Sequence, residues 1–490
     1  MKKLLAVLFA VTIGFVWMSG CSGGGGSEGE YSYEEIMAKF TGEPERNVTL
    51  KVLENDIAVD EGYFDELIAA FNARYAEYGI KAEDANMSQY TDLEKNGPLG
   101  YGPDVLYDAN DKIMRYAENN HVLPLPTERL DVYREGVTDE AIAQTYAMRK
   151  YGMDLKFGIP IAVQTPVLFY RKDRFAREAD ADGNGTPDVL ETYSALYEYS
   201  KGIRAGSTND EPVYGYVQSL NNEYFNFGYL LSYGAYIFGE TTQDIGLAAG
   251  ESYKGLQVMQ DLASVMDRDA SSDTYTVQAY ASLAGGKYAA TITTPDVYVK
   301  FFKALADRYE KSEKLTRAEA EAKARENLMV ANVPRLPVSG NLKEPLRDAQ
   351  GDTFAATTMG GVNGYAISSY TKSPKACLLF AEFASQYEQV VARSAKLGIV
   401  PARKDAAQAQ QVSGYSRMVY ERIEQGRVVM MPSVRALTYV WSSVGSMFAA
   451  VTDDVTIKGN GSPKEYASAQ SLTALLNKTV EDIKKTMQIA

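Results

Sequence analysis

Between Val48 and Asn119 the chain switches repeatedly between strand-like and helix-like patterning, and this limits the possible folds more than any other feature. VTLKVLE (48–54) reads as a strand, and YFDELIAAFNARYAEYG (63–79) carries its apolar residues at helical spacing. IKAEDANM is a second strand, followed by the Gly/Pro-rich loop NGPLGYGP. PDVLYDAN (103–110) is a third strand that ends in polar residues, and KIMRYAENN is the helix after it. Strands alternating with helices predict an α/β architecture with a largely parallel sheet. FGIPIAVQTPVLFYRKDRF (157–175) reads as two short strands, a crossing and the start of a helix, and a further α/β portion covers about 210–300. At 490 residues the chain exceeds one compact core, so two domains are expected.

From 303 to 328 the character changes. KALADRYEKSEKLTRAEAEAKARENL is charged and helical in pattern, with a Thr316/Glu319 capping box and i,i+4 pairs Glu319/Lys323 and Glu321/Arg325. It is expected to be a solvated helical hairpin inserted in a domain. PRLPVSG is a linker, and the chain beyond about residue 375 is predominantly helical.

Composition removes several function classes. The net charge of −14, with no basic block, argues against a nucleic-acid partner. With one histidine, His121, and only Cys377 after Cys21, neither a disulfide in the mature chain nor a Cys/His zinc site is available. Serine–histidine catalysis would need His121, which sits at a polar helix end.

The first residues read as a targeting segment. Lys2 and Lys3 precede an apolar run, Leu4 to Val16, that is too short for a membrane span, and Met18-Ser19-Gly20-Cys21 resembles a bacterial lipobox. Residues 1–20 are therefore expected to be a lipoprotein signal peptide. Lipidation of Cys21 then anchors the chain to the outer face of the bacterial cell membrane, because two or more acyl chains hold stably where one does not. SGGGGSEGE begins a flexible tether and linker assigned to 21–44.

DADGNGTPDVLE (180–191) matches the twelve-residue calcium-loop spacing D-x-[DN]-x-[DN]-G-x5-E. Asp180, Asp182, Asn184, the Thr186 carbonyl, Asp188 and a bidentate Glu191 would supply hard oxygen ligands to Ca2+, with Gly185 at the sharp turn. The chain has no second loop of this kind, so a structural staple is expected rather than a sensor.

Several segments, in order, resemble the extracellular solute-binding proteins of ABC transporters, of the maltose-binding type. They are PDVLYDAND, FGIPIAVQTPVLFYRKDRF, EYFNFGYLLSYGAYIF (223–238), GGKYAATITTPDVYV (285–299), TMGGVNGYAIS (358–368) and MPSVRALTYVWSSV (431–444). The resemblance implies a two-lobed periplasmic-binding-protein-like α/β fold with discontinuous lobes and a ligand cleft between them. Lobe 1 is assigned to 45–162 and 338–390. Lobe 2 is assigned to 163–337 and 391–490 and carries the calcium-type loop away from the cleft.

The resemblance also implies an oligosaccharide ligand handed to ABC permease subunits by a monomeric carrier with no enzymatic activity. Trp441 falls at the family's stacking tryptophan and Tyr224 at a stacking or hydrogen-bonding tyrosine. Asn222 and Gln164 stand where maltose binders have carboxylates, and Asp111 matches a ligand-contacting aspartate. Asp108 and Asp296 fall where maltose binders have tryptophans, with Tyr107 or Tyr298 as replacement stacking faces, and Asn363 is expected to face the cleft. An extracellular glycan-active hydrolase or lyase with a structural calcium is the alternative, since Asp108 with Asp111 or Asp296 would supply a carboxylate pair. A sensor subunit or adhesin is a third reading.

Overall fold

The structure is a computed structural model that describes residues 32–208, 212–271, 275–456 and 463–489. Cys21, the signal segment and the glycine-rich part of the tether lie outside the described residues. Two sheets organise the chain. The larger has seven strands, with Val400–Pro401, Ile159–Gln164, Thr358–Ile367, Val105–Ala109, Val48–Leu53 and Ile80–Asp84 side by side and Val428–Met430 against the start of Thr358–Ile367. The smaller runs Leu328–Ala331, Val167–Arg171, Tyr288–Thr293, Tyr214–Val217. Ile159–Gln164 and Val167–Arg171 are consecutive but belong to different sheets, so the chain crosses between lobes at Thr165-Pro166.

The alternation in 48–119 is realised as parallel pairing of Val48–Leu53 with Ile80–Asp84 and with Val105–Ala109. The expected parallel character is only partial, because Thr358–Ile367 enters antiparallel to both Val105–Ala109 and Ile159–Gln164, while Val428–Met430 and, in the smaller sheet, Tyr214–Val217 keep parallel partners. Its small residues let it lie at the centre of the sheet. A Cβ on Gly364 would sit 2.1 Å from the Ile159 carbonyl oxygen, so only glycine fits. A register shift falls between Asn363 and Gly364.

Three boundary expectations change. The 21–44 tether is not free over its whole length: Tyr33–Met37 is a helix with a Ser32/Glu35 capping box, and Met37 and Phe40 join the core of lobe 1. Val400–Pro401 and Val428–Met430, in the stretch assigned to lobe 2, pair into the large sheet instead. The reason is edge satisfaction: Ile159–Val163 is buried at every position, so its outer edge needs a partner. The helices Leu437–Thr456 and Ala469–Ile489 do pack on Tyr253–Ala263 in lobe 2. Third, the charged insert is a hairpin of Tyr298–Glu313 and Arg317–Asn327, but it is amphipathic, with Phe301, Leu305, Tyr309, Ala320 and Ala324 buried. The Thr316/Glu319 box forms, whereas Lys323 pairs with Glu313 and Glu321 with Arg317.

Lobe 1 encloses one fully buried ion pair. Glu54, at the end of the first strand, accepts from Arg393 Nη1 and Nη2 at 2.8 Å each, and Tyr365 donates to the same carboxylate. The guanidinium lies over Tyr107 at 4.1 Å. No helix among the described residues is long and apolar enough to cross a membrane.

Candidate functional site

Where the two sheets face each other, a cavity of about 310 Å³ is lined by residues from six separate stretches of chain. Six of the expected site residues meet there: Asp111, Gln164, Asn222, Tyr224, Asn363 and Trp441. Four are positioned by element ends, while Asn363 lies within the strand Thr358–Ile367 and Trp441 within the helix Leu437–Thr456. Asp111 lies in the first turn of Asn110–Glu118, where helix N–H groups and dipole favour an acceptor. Its neighbour Asn110 is a buried staple, donating from Nδ2 to Ser433 Oγ at 2.7 Å and accepting from Val362 N–H at 3.0 Å. That staple ties the strand end to the segment leading into the Trp441 helix.

Gln164 ends the last lobe-1 strand before the crossing, and its carbonyl accepts from the Tyr224 hydroxyl at 2.9 Å. Tyr224 is in the first turn of Glu223–Ser232, whose N-cap is Asn222: the Asn222 Oδ1 accepts from Phe225 N–H at 3.0 Å. The Asn222 oxygen is thus occupied, and its amide N–H2 is the group left to donate. Trp441 is half-buried on Leu437–Thr456, and its ring packs edge-to-face with Phe227 at 5.8 Å, a contact that braces the indole.

A second cavity of about 210 Å³ shares Ala109 and Asp111 with the first and continues past Asp108, Lys112, Arg115 and Arg435. Asp108 does not offer a free carboxylate there: Lys112 Nζ holds it at 2.6 Å, an i,i+4 pair on one helix start. Asp296 follows Tyr288–Thr293, and its Oδ1 is buried with no hydrogen-bond partner. Burial pushes the carboxyls of Asp108, Asp111 and Asp296 above the usual range, and it does the same to Glu223.

Two expected stacking faces are absent. Tyr107 is buried beneath Arg393 and edge-on to Tyr365, and Tyr298 packs against Phe302, Tyr415 and Phe169. Both rings are consumed by packing. Glu223, Phe225, Thr294 and Met431 line the cavity without having been singled out by sequence. Glu223 and Phe225 flank Tyr224, and a helix's first turn turns more than one residue toward the space at its end. Met431 opens the MPSVRALTYVWSSV segment.

The lobes are also tied by charge. Lys300 and Lys303 on Tyr298–Glu313 reach Asp60 at 3.0 Å and Glu61 at 2.7 Å, at the end of the first-lobe helix Asp56–Asp60. A cavity with one braced indole, a tyrosine and convergent amide and carboxylate groups can clamp a flat polyhydroxylated ring. Its C–H face stacks on the aromatic, and its hydroxyls bond to planar acceptors and donors.

In the calcium-type loop, Gly185 adopts φ +87° and donates its N–H to Asp180 at 3.1 Å, and Asn184 N–H donates to Asp182 at 3.0 Å. The Asn184 amide bridges Asp182 at 2.8 Å and Glu191 at 2.6 Å, so those carboxylates lean toward one centre. Among the described residues, no three His, Cys, Asp or Glu side chains converge closely enough to share an ion. Asn184 must turn its oxygen inward before a cation enters.

Residues 66–418 match the family model described as bacterial extracellular solute-binding protein. A galactooligosaccharide-binding protein of Bacillus subtilis is 24% identical over 425 residues, covering 84% of this chain and 85% of its own. A maltooligosaccharide ABC transporter solute-binding lipoprotein of Streptococcus pneumoniae is 21% identical, covering 98% and 97%. Among solved structures, the maltodextrin-binding protein MalE1 of L. casei superimposes with a TM-score of 0.65 at 16% identity, over 89% of this chain and 98% of that one.

Proposed function

The chain belongs to the bacterial extracellular solute-binding proteins, and from that premise we propose that it binds an oligosaccharide between its lobes and delivers it to an ABC permease. The meeting of Trp441, Tyr224, Gln164, Asn222, Asp111 and Asn363 around one inter-lobe cavity carries this reading. The names of the relatives, which bind galactooligosaccharides and maltooligosaccharides, support the ligand class. With Tyr107 and Tyr298 packed away, recognition depends on Trp441, Tyr224 and Phe225 as aromatics and on the polar groups around them. Hydrogen-bonded sites of this kind discriminate strongly between hydroxyl patterns.

Calorimetric titration of the mature protein with malto- and galactooligosaccharides of graded length tests the reading. Trp441 is the sole tryptophan beyond the signal segment, so its fluorescence should change saturably with the same midpoint. Trp441→Ala should weaken binding by about 2–4 kcal/mol, the range of a buried aromatic anchor. Tight binding with an unchanged indole signal and unchanged Trp441→Ala affinity would place the site elsewhere. Shortening of the oligosaccharide during incubation would favour the hydrolase or lyase reading.

Two further parts belong to the proposal. The protein acts as a monomer anchored through a lipid on Cys21, supported by the lipobox-like Met18–Cys21. The loop 180–191 holds a structural Ca2+, supported by its spacing and by its carboxylates leaning on Asn184. The metal would order an acidic loop just ahead of the helix Tyr193–Ala205 and takes no part in ligand recognition.

A further inference from the structure

A cavity of about 580 Å³, larger than the inter-lobe cleft, lies elsewhere in the protein. It is enclosed by the 180–191 loop, the strand end Val330–Ala331, the segment around Gln350 and Ala356, and the helix Gly414–Glu424 with the residues that follow it. Three arginines line it: Arg335, Arg422 and Arg427. Arg422 is buried and the other two are half-buried; none of the three is ion-paired among the described residues, which sets Arg422 apart from the other buried arginines. Arg393, Arg403 and Arg171 each hold a carboxylate, at 2.8, 2.9 and 2.5 Å.

Arg422 is only 6% exposed. Its Nη2 donates to the Ala356 carbonyl at 3.2 Å and to Thr358 Oγ1 at 2.9 Å, and its Nη1 is buried with no partner at all. Arg335 spends Nε and Nη2 on Thr353 oxygens, at 2.8 Å each. A guanidinium taken out of water against neutral oxygens alone is strongly unfavourable, and an anion relieves it. The pKa of Arg422 is pushed down to about 10, by burial first and with a contribution from the neighbouring Arg427 charge, so the group is still a cation at neutral pH. Asp182 and Glu191 also line the cavity, Glu191 with its backbone carbonyl accepting from Arg335 N–H at 2.8 Å, but both carboxylates are bonded to Asn184 and neither forms an ion pair with an arginine.

We propose that this cavity is a second ligand site, separate from the oligosaccharide cleft, which takes a small oxyanion beside Arg422, whose unpartnered, buried Nη1 turns toward the cavity to meet it, with Arg427 and Arg335 supplying the surrounding positive field. Planar guanidinium forks suit the oxygen edge of sulfate, phosphate or a carboxylate, whereas a spherical halide satisfies fewer of the donors. The cavity is large enough for the ion and its remaining water shell. The acidic groups that share its lining limit it to small anions and disfavour extended acidic chains.

Calorimetric titration of the whole mature protein with sodium sulfate, at ionic strength held constant with sodium chloride, tests this. One saturable sulfate site is expected, with acetate binding more weakly. Arg427→Gln and Arg335→Gln should each weaken sulfate by about tenfold, as removal of one nearby positive charge does near a protein surface, and Arg422→Gln should abolish it. If Arg422→Gln fails to fold, the two other variants still decide the matter. Absence of saturable sulfate binding, wild-type affinity in both of those variants, or displacement of sulfate by a cleft-binding oligosaccharide would overturn the assignment. The oligosaccharide affinity of the same variants should be unchanged, which separates failure of this site from failure of the cleft.

Discussion

Replacing Arg393 by methionine should destabilise lobe 1 far more than any surface change, and the structure gives the size. Arg393 and Glu54 are 1% and 0% exposed, joined by two parallel contacts of 2.8 Å. A methionine side chain would roughly fill the volume but leave Glu54 with only the Tyr365 hydroxyl and the Asn55 N–H as donors. Removing one partner of such a buried pair costs about 3–5 kcal/mol, because the remaining charge is neither hydrated nor matched. Loss of the cation from above Tyr107, in a desolvated site, adds about 2 kcal/mol. Urea unfolding followed by far-UV dichroism at pH 7 measures the change. The double variant Glu54→Leu/Arg393→Met should recover most of the loss, since an apolar pair of similar volume is close to neutral in such sites. A single-variant loss below about 1 kcal/mol, or a double variant as unstable as the two single losses combined, would refute the view that an unmatched buried charge dominates.

Burial raises the Asp296 pKa, so the folded state holds its proton to a higher pH than the unfolded chain. Stability from this group is therefore lost as pH rises from about 3.8 through the raised value. Asp296→Asn should melt higher than wild type at pH 7, match it near pH 3, and show a flatter profile by differential scanning fluorimetry. Calcium at about a hundredfold over its dissociation constant should stabilise the mature protein by about 2.7 kcal/mol. Chelator should reverse that gain, and Glu191→Ala should remove the response; melting curves indifferent to calcium in wild type would retire the metal. Cys21→Ser should move the protein from the detergent phase to the aqueous phase on Triton X-114 partitioning, and equal partitioning of wild type and variant would reject the anchor.

Local physics made much of this protein legible in its sequence. Strand and helix periods between Val48 and Asn119 needed only neighbouring residues, and so did the Thr316/Glu319 cap, because each is completed within a few positions along the chain. The ordered motifs were enough to name six residues that meet at one cavity. Tertiary structure decided the rest. By its place in the sequence Asp108 reads as a cleft carboxylate, but Lys112 holds it, and Tyr107 and Tyr298 read as stacking faces, but Arg393, Phe302 and Tyr415 cover them. Lys323 left its helical neighbour Glu319 for Glu313 across the hairpin. Val400–Pro401 and Val428–Met430 crossed to the large sheet because buried strand edges there lacked partners. Arg422 reads as an ordinary surface residue of an amphipathic helix, and only the fold buries it beside a cavity without a counter-charge. Periodicity and capping are settled over a few residues, whereas the partner of an open edge, a ring face or a buried charge comes from distant parts of the chain and depends on which groups the closed fold leaves unsatisfied.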